Sequence, residues 1–116
     1  MRIALCVALG AALGAPARLW VSHAVGRRER PAWVATLIVN VVGSFILGLA
    51  LGSGITQTWA AMVGVGFCGA FTTFSTLALE LWSGFSEKRA AWTLAYAGGS
   101  LALGCTAAYL GLALMR

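Results

Sequence analysis

Four apolar runs joined by short polar connections predict an all-α membrane protein of four transmembrane helices, and three observations carry that prediction. Of the 116 residues, 60% are hydrophobic and only 9% charged, whereas a soluble domain is about 25% charged. The mean hydropathy is +0.89. Each run also reaches the roughly 20 residues that a helix needs to cross a bilayer. The net charge of +5 would suit a nucleic-acid binder, but such proteins gather their basic residues on a solvated face. Here the basic residues flank apolar runs, so no nucleic-acid partner is expected.

The runs divide a single four-helix domain over residues 1–116. The first covers about residues 3–25 and is interrupted only by Arg18 and His23. Arg2, the apolar stretch after it and Ala15-Pro16-Ala17 loosely resemble a secretory signal, but the apolar continuation beyond them favours a retained helix. The second run, about 33–52, has no ionisable residue; the third, about 59–84, carries Glu80 near its end; the fourth, about 92–115, is again uncharged. Trp33, Trp59 and Trp92 open the last three, as suits the headgroup belt. The N-terminus, the second loop and the C-terminus hold Arg2 and Arg116, whereas the other side holds Arg27, Arg28, Arg30, Lys88 and Arg89. This bias places both termini outside.

Fifteen glycines point to close helix contacts, with Gly10/Gly14 and Gly48/Gly52 at small-xxx-small spacing. Cys6, Cys68 and Cys105 lie within apolar stretches without metal or redox spacing and read as packing residues. One histidine and no aspartate leave little for acid–base or metal chemistry, so an enzyme is not expected. Four helices enclose a polar path poorly, and a homodimer or heterodimer is expected.

Polar side chains inside apolar runs are the candidate functional residues, because lipid makes them costly. Thr36, Asn40, Gly43 and Ser44 share one face of the second helix, with Asn40 either facing a polar path or joining two helices by a hydrogen bond. In the third run, glycines precede Thr72-Thr73-Phe74-Ser75-Thr76, a composition that weakens a helix at mid-span. A break is expected there, and its freed carbonyls can coordinate a cation; the alternative is a continuous helix with back-bonded hydroxyls. Phe67, Phe71 and Phe74 lie at i, i+4 and i+7, a packing stripe or a set of electropositive ring edges facing a small anion. Arg18 and Glu80 are either an ion pair or entrance charges. Tyr96 and Ser100 extend a polar track on the fourth helix.

These residues resemble the Fluc/CrcB family of small fluoride channels over nearly the whole chain. The resemblance rests on Gly10 to Arg18, on the block from Thr36 to Phe45 around Asn40, and on Gly66 to Thr76 with Glu80. It implies an antiparallel, dual-topology dimer in the plasma membrane, the inner membrane of a bacterium, with two fluoride pores at the subunit interface. Asn40 would donate its amide to fluoride and Phe74 a ring edge, with Thr36, Ser75, Thr76, Tyr96, Ser100, Glu80 and Arg18 along the pathway. Backbone carbonyls of Gly69 and Thr72 from both subunits would hold a structural sodium ion (Na+) at the dimer centre. Two positions depart from the pattern: Leu77 replaces a second ring, and Gly104 offers no hydroxyl on the fourth-helix track. The charge bias fits one fixed orientation better than two, which suits a heterodimer with a second homologous chain.

The implied role is passive export that lowers cytoplasmic fluoride. Two alternatives are a small multidrug-type proton-coupled antiporter and a non-transporting membrane subunit. The first needs a membrane-embedded carboxylate, which the first helix lacks; the second would use its glycine faces for assembly alone.

Overall fold

The computed structural model describes residues 1–116 and contains helices and connections but no strands. We number the helices α1 (Arg2–Arg27), α2 (Ala32–Gly52), α3 (residues 57–71), α4 (Phe74–Ser86) and α5 (Ala90–Leu114). Four spans are long and apolar enough to cross a membrane: α1, α2, the combined α3 and α4 over Gln57–Ser86, and α5. Only 19 of 116 residues are buried, while Leu5, Leu13, Trp20, Leu79, Trp82, Leu101 and Leu114 are exposed. A surface this apolar is suited to lipid rather than water.

Two glycine seams hold the bundle together. A Cβ at Gly10 or Gly14 would strike the Met62 or Phe67 carbonyl of α3, and one at Gly66 would strike the Val7 carbonyl of α1. In the other seam, Gly48 and Gly52 of α2 lie against the Ala108 and Leu112 carbonyls of α5, and Gly111 returns the contact against Phe45. Both small-xxx-small pairs therefore mark backbone-to-backbone approach, where packing replaces the hydrophobic drive that lipid removes.

The third span departs from a regular α-helix in two ways. Residues Ala61–Cys68 form a π-helix, the wider i→i+5 winding, which is rare beyond a single turn. At Thr72 and Thr73 the backbone becomes extended, with ψ 164° at Thr72 and φ −147° at Thr73. The break expected from the glycine and threonine content is present, and a continuous third helix is excluded. It also divides the aromatic stripe. Phe67 and Phe71 stack at 5.4 Å in α3, whereas Phe74 opens α4 and is 81% exposed.

Candidate functional site

At the break, Thr73 is held from two directions. The Asn40 Nδ2 donates to the Thr73 carbonyl at 3.2 Å, and the Thr73 N–H donates to Asn40 Oδ1 at 2.9 Å. This reciprocal pair fixes the amide orientation, because a flipped amide would set donor against donor. Thr73 also caps α4: its hydroxyl accepts from the Thr76 N–H at 3.2 Å and donates to the Thr76 hydroxyl at 3.1 Å. The Thr73 carbonyl, the Thr73 N–H and the Thr76 N–H, released in mid-span, are thus satisfied without water.

The same bonds release two carbonyls. Because the Thr73 N–H turns to Asn40 and the Thr76 N–H to the Thr73 hydroxyl, the Gly69 and Thr72 carbonyls lose the i+4 donors a continuous helix would give them. Both residues line a cavity of about 340 Å³ together with Asn40, Gly43, Cys68 and Phe74. No group of three or more His, Cys, Asp or Glu side chains is placed to hold a metal. Free backbone oxygens are hard donors suited to an alkali cation. Two from one chain fall short of a full coordination shell, so the donor set fits sodium only as half of a shared site.

A second polar cluster joins α2, α4 and α5. Glu80 accepts from the Thr36 hydroxyl at 3.1 Å and from the Tyr96 hydroxyl at 2.7 Å. Trp33 and Trp92 pack on the Tyr96 ring at 5.5 and 5.2 Å between centroids, which fixes the phenol in place. Arg18 is half-buried and lines a cavity of about 370 Å³ with Thr36, Thr76 and Glu80. The hydrogen-bond partners of Glu80 are thus two hydroxyls rather than Arg18.

The expected pathway residues divide between these places. Asn40, Phe74 and Ser100 meet in a cleft of about 430 Å³ that also includes Leu77 and Gly104. The Ser100 hydroxyl is buried there without a hydrogen-bond partner. Thr36, Thr76, Glu80 and Arg18 share the other cavity, and Tyr96 joins them through Glu80. Ser75 is exposed and lines neither. Thr73 lines both the Arg18 cavity and the cavity of the freed carbonyls, so the clamped peptide is the wall between them. Sequence reasoning missed Thr73; its signature is a Thr three residues before Thr76 at a helix start, the spacing of an N-cap. It also missed Arg30, whose approach to the cavity depends on a turn.

A sequence-family model described as CrcB-like protein, Camphor Resistance (CrcB), matches residues 5–112. The chain is 37% identical to the Fluoride-specific ion channel FluC 2 of Bacillus cereus, with 98% of each chain covered. It is 44% identical to a protein of the same name from Rhodococcus jostii, over 92% of this chain and 93% of that one. A third, from Natronomonas pharaonis, is 43% identical over 96% and 92%.

Proposed function

The chain belongs to the CrcB-like family, and from that premise we propose that it is a fluoride-selective channel that lets the ion leave the cytoplasm passively across the plasma membrane. It is a multi-pass transporter rather than an enzyme. The observation that carries the reading is the Asn40–Thr73 clamp. One Nδ2 hydrogen of Asn40 is used on Thr73, and the other remains for a ligand in the cleft shared with Phe74 and Ser100.

Fluoride is small and strongly hydrated, so a selective path must replace its water with donors and still release it. The Asn40 amide, the Ser100 hydroxyl and the edge of the Phe74 ring supply such contacts, the ring edge being its electropositive rim. Thr76 continues the series of hydroxyls, whereas Thr36 and Tyr96 spend their hydroxyl hydrogens on Glu80 and disperse its charge beside the anion path. Ser75 is retained as an outer hydroxyl.

The pores form where a second chain, antiparallel to the first, covers Phe74 and the open cleft. The Gly69 and Thr72 carbonyls of both chains would hold a sodium ion at the centre; such an ion supplies positive charge where an anion in lipid is least stable. The second chain is a copy or a homologue of opposite loop bias.

The test is reconstitution in liposomes, with fluoride and chloride efflux followed by ion-selective electrodes under a potassium–valinomycin potential. Fast fluoride efflux without chloride efflux is the expected result. Fluoride efflux only on co-expression with a homologue would assign the heterodimer. No fluoride efflux in any combination, or proton-coupled uptake of a lipophilic cation, would overturn the reading.

A further inference from the structure

Helices α2 and α5 run parallel and keep one register along their contact. A Cβ at Gly48 would meet the Ala108 carbonyl, one at Gly52 the Leu112 carbonyl, and one at Gly104 the Ser44 hydroxyl oxygen. Successive pairs in this register lie about one helical turn apart. The two turns before Ser44 and Gly104 carry Thr36 with Tyr96, which share Glu80, and Asn40 with Ser100, which share the cleft. The facing positions of α2 and α5 therefore form a series of rungs, of which the first two are polar on both helices. The third is Ser44 with Gly104, and the glycine seam closes beyond it.

Only the α2 side of the third rung has a hydroxyl. It belongs to Ser44, which is half-buried and lines the cleft with Asn40, Phe74 and Ser100. That hydroxyl donates to the Asn40 carbonyl at 2.7 Å. The carbonyl lies within α2, where i→i−4 bonding already gives it the Ser44 N–H, so the hydroxyl's bond is supplementary. Its hydrogen can turn to an anion without stranding a backbone oxygen. Gly104 keeps the space beside it open. At Gly48, Gly52 and Gly111 a Cβ would strike backbone carbonyls, whereas at Gly104 the nearest atom is the Ser44 Oγ at 3.5 Å, an ordinary contact. Close helix approach therefore does not demand glycine at position 104, and the missing side chain leaves room in front of Ser44.

We propose that Ser44 is a further fluoride-contacting residue, which donates its hydroxyl to the ion on the rung beyond Asn40 and Ser100 and supplies the contact that Gly104 does not. The proposal rests on the fluoride-channel reading and extends its series of donors by one turn. A strongly hydrated anion gives up water only where successive donors are within reach of one another, and facing residues one turn apart are about 5–6 Å apart. Without Ser44 the third rung would be apolar on both helices.

The test moves the hydroxyl across the rung. Fluoride flux through the conducting assembly is measured against fluoride concentration for the wild type, for Ser44→Ala, and for Ser44→Ala combined with either Gly104→Ser or Gly104→Ala. Ser44→Ala should lower the flux at limiting fluoride about tenfold, the order expected when one donor to a charged ligand is lost. Gly104→Ser should recover most of that flux in the Ser44→Ala background, because position 104 has room for a Cβ and the new hydroxyl returns to the same rung. Gly104→Ala should not recover it. Elution volume and melting temperature check assembly in every variant. Equal flux in wild type and Ser44→Ala would overturn the proposal while leaving the channel in place. Recovery by neither substitution at Gly104, or by both alike, would assign Ser44 to packing and also overturn it. Absence of fluoride flux from the unaltered protein would overturn both readings.

Discussion

Asn40 has two tasks for one amide: its oxygen and one hydrogen hold the Thr73 peptide, and its second hydrogen is left for a ligand in the proposed path. Asn40→Asp keeps an acceptor for the Thr73 N–H but sets a carboxylate oxygen against the Thr73 carbonyl and against any anion. Fluoride efflux should fall at least about tenfold, a barrier change of roughly 1.4 kcal/mol, in protein that still elutes as an assembled species. Phe74→Ile removes the ring edge while keeping an apolar volume and should lower the flux without altering the melting temperature. Normal flux in either folded variant would remove that residue from the path. The amide's place on an inward face was legible from the i, i+4, i+7 spacing of Thr36, Asn40 and Gly43. Its partner was not, because the Thr73 peptide is 33 residues away and becomes available only once the third span opens.

At the scale of elements, the break is a designed discontinuity with its own cap. Thr73→Val deletes the hydroxyl that receives the Thr76 N–H and should cost about 0.5–2 kcal/mol, read as a lower melting temperature in detergent, whereas Thr73→Ser should restore it. The glycine seams set a second expectation. Gly48→Leu drives a side chain into the Ala108 backbone, an overpacking that should cost roughly 1–3 kcal/mol. A variant that melts like wild type would show that α2 and α5 separate more freely than their contact implies. The four spans were readable from apolar length alone, and the break from glycine followed by β-branched residues. The π-helical winding of Ala61–Cys68 was not readable, since AMVGVGFC carries no local preference for it; it accompanies the close approach of α1 through Gly10 and Gly66, a tertiary condition.

For the whole molecule, Gly69 distinguishes a chain from an assembly. Within one chain a Cβ at Gly69 meets nothing within 4 Å, so Gly69→Val should fold alone with little change beyond a helix-propensity difference of a few tenths of a kcal/mol. If paired chains share a cation there, the same substitution should abolish any sodium dependence of dimer stability, followed by the monomer–dimer equilibrium in sodium against N-methylglucamine. Unchanged sodium dependence would remove Gly69 from the site. Leu77 bears on the same question, because it lines both the carbonyl cavity and the Phe74 cleft. Its side chain leaves one aromatic contact to be supplied from elsewhere or done without.

The combined third span holds 30 residues, whereas α2 crosses with 21. As one straight α-helix it would run about 45 Å, well beyond the roughly 30 Å of hydrocarbon. The wider winding of the π segment gains less length per residue, and the extended pair at Thr72 and Thr73 divides what remains. The span is longer than the 26 residues of α1 and the 25 of α5 and is the one that the break divides, so a bilayer that thickens or thins acts first on the segment containing the clamped peptide. Channel output should then respond to acyl-chain length, with the third span taking up the mismatch.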